Sequence, residues 1–348
     1  MMKKVISVLL ALVLTLSLAS VALAEGKIGV AMPTQSLQRW NQDGENMKKQ
    51  LEDAGFTVNL QYANNEVATQ VSQLENMILD ECQLLVVASI DGSALGTVLA
   101  QAKEANIPVI AYDRLIMDTD AISYYTTFDN YSVGTIQGNY VKDTLDLDNA
   151  EGPFNMEFFA GSPDDNNARF FFQGAFDVLK PYIDSGKLVV KSGQVEFEAI
   201  ATPSWSSEKA QARMDNLIAA NYADGTKLDV VLCSNDSTAL GATNSLVAAG
   251  FETLPIITGM DCDVANVKNM VKGLQSMSVF KDTRTLAAET VKMVTAIMKG
   301  ETPETNNTYD NNVFKVPSYL CVPVFADASN YEELLVESGY YTAEQLAQ

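Results

Sequence analysis

"LLVVASIDGSALGTVLAQAKEANIPVIAYD", residues 84–113, and "DVVLCSNDSTALGATNSLVAAGFETLPIITGMD", residues 229–261, are two copies of one pattern. Each runs strand, Asp, one residue, Ser/Thr-Ala-Leu-Gly, helix, strand and a closing Asp. Asp91 matches Asp236, and Asp113 matches Asp261 once a short insertion near Glu252 is allowed. The strands are apolar along their length rather than alternating, which marks burial on both faces and a parallel sheet covered by helices. A pattern of strand and helix that occurs twice implies two similar α/β lobes, each a doubly wound parallel sheet.

Working outward, the same alternation fills the chain. Strands are expected at 27–32, 57–63, 84–89, 108–113, 154–160, 188–194, 229–234 and 255–261, with helices over 41–54, 68–80, 94–105, 207–220 and 238–249. A weaker echo joins "GVAMPTQSLQRW" to "EFFAGSPDDNNARFF", each a strand, a proline turn and a polar loop opening a helix. Open α/β sheets take ligands beyond the carboxyl ends of their strands. The polar residues that fall there are Arg39, the Asp113-Arg114 pair, Asn166-Asn167, Asn235-Asp236 and Asp261. If the lobes face each other, these residues converge on one cleft.

Blander readings weigh against some of them. Asp91 and Asp236 precede helices, where capping is the stronger expectation. Asp164-Asp165 reads as a solvated or capping loop rather than paired catalytic carboxylates. Trp205 lies in the polar "TPSWSSEKA", where an indole has more use as a stacking surface than as core. Lys281, alone after an apolar strand in "FKDTR", is set apart from its surroundings.

Composition excludes several function classes. The chain has no histidine, which removes Ser-His-Asp and Cys-His catalysis and the commonest zinc sites. A net charge of −21 repels nucleic acid and anionic lipid. Cys82, Cys233, Cys262 and Cys321 form no CxxC pair and sit in apolar surroundings, so buried free thiols are expected. Residues 1–24, with "MMKK", an apolar run and "ALA" before Glu25, read as a secretory signal peptide. Glu25 in place of a cysteine offers no lipid attachment point, so a soluble periplasmic or freely secreted product is expected. The remaining residues, 25–348, suit about two domains.

The quoted stretches, together with "VIAYDRL", "YYTTFDN", "GSPDDNNA", "LKPYIDSGKLVVKSGQ", "AQARMDNL", "SND", "FKDTR" and "VPSYL", resemble the sugar-binding proteins of ABC transporters, of the xylose-binding and multiple-sugar-binding kinds. The resemblance covers nearly all of the chain after residue 24. It implies the type I periplasmic binding protein fold, in which two doubly wound lobes joined by a three-crossover hinge close on a monosaccharide. The implied partners are an aldopentose or aldohexose, a membrane permease and a chemoreceptor, with no cofactor, no metal and a monomeric state. The implied ligand set is Arg39 and Trp40 from "QRW", Asp113 and Arg114, Asn166 and Asn167, Trp205, Asn235, Asp261, and Lys281 at a crossover. Met260 stands where relatives commonly have glutamine, and Ser204 where multiple-sugar-binding proteins have arginine. The crossovers are expected near Phe128-Asp129, Phe280-Lys281 and Asn312–Lys315, giving lobes of 25–128 plus 281–312 and of 129–280 plus 313–348. A hydrolase using Asp164 or Asp165 with Asp261, and a sensor-type binder of a non-sugar ligand, are the competing classes.

Overall fold

A computed structural model describes residues 26–347; the expected signal peptide lies outside the described residues. Alternation of strand and helix produces two sheets. The first contains β1 (Lys27–Met32), β2 (Thr57–Tyr62), β3 (Leu84–Val87), β4 (Val109–Tyr112) and β5 (Tyr124–Phe128), and later β11 (Asn307–Asp310) and β12 (Lys315–Cys321). Its spatial order is β11-β12-β5-β4-β3-β1-β2, and only the edge strand β11 runs antiparallel. The second sheet holds β6 (Phe154–Phe159), β7 (Leu188–Val190), β8 (Val230–Cys233) and β9 (Ile256–Ile257), all parallel, in the order β7-β6-β8-β9. A parallel bridge from Met260 to Val279 connects this sheet to the antiparallel ribbon of β10 (Met277–Phe280) and β13 (Val324–Asp327).

Burial on both faces is visible strand by strand. Ile28, Val30 and Met32 of β1 join one core, with Leu84 and Val86 of β3, while Ala31, Leu85 and Val87 join the core on the opposite face. Helices α1 (Gln38–Asp53), α2 (Val67–Leu79) and α3 (Gly96–Glu104) contribute to these layers through residues such as Met47, Leu74 and Leu99. The second sheet is covered by α4 (Asn130–Thr144), α5 (Asn166–Asp184), α6 (Ser207–Leu217) and α7 (Asp236–Ala248), followed by α8 (Val264–Val271). Gly134, Gly138 and Gly174 let α4 and α5 touch through their backbones: a Cβ at Gly134 would lie 2.0 Å from the carbonyl oxygen of Phe171.

The chain passes between the sheets from β5 to α4, from β10 through Lys281 to α9 (Thr283–Met298), and from β12 to β13. The amide of Asp129 donates to the carbonyl of Cys321 at 3.0 Å, tying the first passage to the third. One expected boundary is corrected here. The expected lobes put residues 313–321 in the second, yet β12 pairs parallel with β5, from Ser318 opposite Tyr125 to Cys321 opposite Phe128. The third crossing therefore lies at Val322-Pro323, not at Asn312–Lys315. "KVPSYLC" has mixed polarity because it is next to the edge of the sheet and is only partly covered, which hid its membership. All four cysteines are free and buried.

Candidate functional site

The carboxyl ends of both sheets face one shared cavity between the lobes. From the first lobe, α1 brings Arg39 and Trp40 in its first turns, and the end of β4 brings Asp113 and Arg114. Trp205, Asn235 and Asp261 come from the second lobe, and Lys281 from the second crossing. Asn166 and Asn167 do not line the cavity. Asn167 instead holds the lobes together, donating to the carbonyl of Asp113 at 2.7 Å and accepting from the Tyr125 hydroxyl at 3.1 Å.

Asp113 ends its strand with φ = 57°, a left-handed conformation that costs a non-glycine residue about 1–2 kcal/mol. Its turn is held by its own carbonyl, which accepts from Tyr125 at 2.6 Å and Thr127 at 2.8 Å besides Asn167. The bend points the carboxylate at Arg39, whose Nη2 donates to it at 2.7 Å. Burial opposes ionisation of Asp113, but Arg39, Lys281 and Arg114 more than offset this and hold its carboxyl below the usual range. Asp261, its counterpart in the repeat, also has positive φ, 97°, and its Oδ1 lies 3.1 Å from Lys281 Nζ and 3.4 Å from Arg39 Nη1. The equivalence read from the sequence thus becomes a shared geometry: two carboxylates turned into one cavity by left-handed residues at strand ends.

Arg39 is positioned by a residue the sequence reading missed. Its Nε donates to Asp43 at 2.8 Å, one helical turn on, and Asp43 in turn accepts from the Tyr112 hydroxyl. The i,i+4 spacing in "RWNQD" was a usable signal. Arg114 donates to the carbonyls of Ser89 and Ile90 at 3.1 and 3.3 Å, and its Nε stands 3.1 Å from Asp165 Oδ2 across the cleft. Both guanidinium groups flank the indole of Trp40, at 4.8 Å for Arg39 and 5.0 Å for Arg114. This stacking fixes the ring plane and orients the donors.

Trp205 faces the cavity from the opposite lobe, and it too is strained: Ser204 and Trp205 have φ of 60° and 55°. The turn is fixed by Ser204 N donating to Ser162 Oγ at 3.0 Å and by Ser237 Oγ donating to the Trp205 carbonyl at 2.7 Å. The indole packs onto Gly161, where a Cβ would stand 1.9 Å from the ring, so only glycine permits this placement. The indole N–H is buried and unpartnered. Gly161 is a second residue that sequence reading passed over, although it directly follows a strand.

The expected caps are redistributed. Asn235 caps α7, accepting from Thr238 N at 3.0 Å, while Asp236, expected as the cap, is buried and accepts from Asp263 N, Gln275 and Ser278. Asp91 accepts from Ser93 N in a local turn. Asp165 caps α5 through Asn167 N at 3.0 Å and also meets Arg114, whereas Asp164 is exposed. Burial pushes the Asp165 carboxyl up against the pull of Arg114. Among the described residues no group of three or more His, Cys, Asp or Glu side chains is arranged to hold a metal ion.

The model of the "periplasmic binding protein domain" family matches residues 28–302. The chain belongs to the periplasmic binding protein family. This periplasmic binding protein is 51% identical over 328 residues to the multiple sugar-binding periplasmic receptor ChvE of Rhizobium radiobacter, covering 92% of each. It is 36% identical to the D-xylose-binding periplasmic protein of Escherichia coli over 345 residues, 99% of this chain and all of that one. Among solved structures, an ABC transporter solute binding protein from Clostridium phytofermentans with bound β-D-glucose is 67% identical, with a TM-score of 0.91 over 92% of this chain and 100% of that chain. These relatives are named as binding proteins, and their full-length match fits the type I fold described above.

Proposed function

We propose that the protein is the exported solute-binding component of an ABC transporter, taking one aldopentose or aldohexose into the cleft and delivering it to a membrane permease. The observation that carries this reading is the cavity itself. Two bent-out carboxylates, two arginines, a lysine and an asparagine surround a space walled by Trp40 and Trp205. Sugar hydroxyls both donate and accept, so carboxylates paired with guanidinium groups satisfy neighbouring hydroxyls in both senses. An indole covers the C–H face of a pyranose. The sugars named for the relatives, glucose and xylose among them, are of this class.

The charges also suggest how binding is coupled to movement. The Arg39, Asp43 and Asp113 cluster lies within the first lobe and exists before closure. Arg39 to Asp261, Arg114 to Asp165, and Gly92 N to the Asp164 carbonyl at 3.3 Å span the lobes and form on closing. A sugar that bonds to both lobes favours the closed state by its differential affinity. Delivery in the periplasm, a monomeric state and service to a chemoreceptor belong to the same proposal. The hydrolase alternative has less support, since Asp165 is engaged by Arg114 and a helix cap.

A thermal-shift and calorimetric screen of D-glucose, D-xylose, D-galactose and L-arabinose tests the reading. Binding of at least one raises the melting temperature by mass action. A folded protein indifferent to all four, or one that turns over aryl glycosides, would refute it.

A further inference from the structure

Asp263 is the residue of the cavity wall that neither the repeat nor the helix pattern accounts for. It occupies the N-cap of α8, where an aspartate ordinarily turns back to accept an amide of the first turn. Its side chain makes no such bond. Its backbone N–H is spent on Asp236 Oδ2 at 2.8 Å, and the carboxyl lies against the cavity with Oδ1 shut off from solvent and unpartnered. A buried polar atom without a partner is rare and costs free energy, so its partner is to be sought in what fills the cavity.

We propose that Asp263 is a further specificity-determining residue of this cleft, whose carboxyl carries a proton in the closed complex and donates it to an oxygen of the bound aldose. The inference rests on the aldose reading of the cavity. The surroundings supply the reason for the proton. Asp263 is faced by Asp261 and Cys262 on its own segment, by Asp236 at the start of α7, by Arg39 from α1, by Lys281 from the crossing and by Tyr341 from the C-terminal segment. Burial and then Asp261 push its carboxyl up to about 7, against the pull of Arg39 and Lys281, which are already engaged by Asp113 and Asp261. Arg39 and the buried setting come only with closure, whereas Asp236 and Asp261 belong to the same lobe. In the open, wetted cleft the carboxyl lies nearer its ordinary value, so binding takes up a proton. A group whose value rises on binding favours the complex at low pH, and that advantage fades as pH climbs from about 4 through about 7.

The experiment is calorimetric titration with D-glucose at pH 5 and pH 8 of the wild type, Asp263→Asn and Asp263→Ala, each first shown to be folded by a sugar-free melt. Wild-type affinity is expected to fall about 10- to 100-fold between the two pH values. Asp263→Asn, which keeps a donor but cannot titrate, is expected to bind within about threefold of wild type at pH 5 and to lose most of that fall. Asp263→Ala is expected to lose about tenfold at pH 5. A set of monodeoxyglucoses then identifies the oxygen, because one of them should bind wild type and Asp263→Ala alike. Wild-type affinities in Asp263→Ala at both pH values, or an unaltered pH profile in Asp263→Asn, would overturn the assignment. The wild-type titration tests the aldose reading separately: absence of any aldose binding by wild type would overturn both.

Discussion

Replacing Asp113 by Asn isolates the charge at the end of β4. Asparagine tolerates the left-handed φ of 57° and keeps the shape of the side chain, so the backbone turn held by Tyr125, Thr127 and Asn167 is preserved. What is lost is the anion facing Arg39 Nη2 at 2.7 Å, with Lys281 at 4.0 Å. A hydrogen bond to a charged group contributes about 1.5–3 kcal/mol and a neutral one about 0.5–1.5, so the Arg39 bond weakens by about 1–1.5 kcal/mol. A bond from a sugar hydroxyl to the carboxylate weakens by a similar amount. Arg39 is not stranded, because Asp43 and Asp261 still face it, and the 3–5 kcal/mol of a fully broken buried pair does not apply. The expected loss in binding is about 2–3 kcal/mol, or about 30- to 150-fold. In the sugar-free protein the cleft is wet, and the melt should move by no more than about 1 kcal/mol in stability. Calorimetry with D-glucose beside a sugar-free melt reads both quantities. Wild-type affinity in a folded Asp113→Asn protein would refute the placement of Asp113 at the ligand and weaken the whole cleft.

Other consequences can be checked directly. Small-angle scattering should show a smaller radius of gyration when a tightly bound aldose is added, since the contacts between Arg114 and Asp165 and between Gly92 and Asp164 span the two lobes and would part on hinge opening; coincident profiles would count against hinge closure. Thiol titration after denaturation without reductant should find all four cysteines reactive, and finding two would mean a disulfide that the structure lacks. Gly161→Ala puts a methyl group 1.9 Å from the Trp205 ring and should weaken sugar binding by about 1–3 kcal/mol through displacement of the indole; an unchanged affinity would remove Trp205 as a wall of the site.

The repeat made the architecture legible because burial on both faces leaves a continuous apolar run, and the second copy marked the second sheet independently. Asp113 and Asp261 were legible for the same reason, each being the first charged residue after such a run. Other features depend on contacts that no local pattern encodes. Asp165 caps α5, as its loop position implies, but its meeting with Arg114 from the other lobe has no local signal. Asn235 rather than Asp236 caps α7 because either can cap a helix, and only the approach of Gln275 and Ser278 decides which one turns inward. The membership of β12 in the first sheet was hidden by its half-covered, mixed composition. Gly161 and Asp263 are understood only when the indole and the cavity are in place.

The two kinds of ion pair in the cleft explain why closure should wait for a ligand. At Asp113, Arg39 and Arg114 of the first lobe together with Lys281 from the crossing outweigh the penalty of burial, and the carboxyl is held below its usual range. The pair of Arg39 and Asp113 stabilises itself and orients the donors before any sugar arrives. Across the cleft the balance reverses. Burial of Asp165 outweighs the attraction of Arg114, and its carboxyl is pushed up. Taking two charges out of water is repaid only when geometry and further hydrogen bonds are good, and here the Nε to Oδ2 distance is 3.1 Å with the Arg114 donor otherwise unsatisfied. Closing an empty cleft therefore desolvates Asp165 and Arg114 and leaves Arg114 Nε, Asp263 Oδ1 and the Trp205 indole N–H without hydrogen-bond partners. On the proposed reading a sugar supplies them from its own hydroxyls, and the same groups that resist empty closure become the ones that reward the filled one.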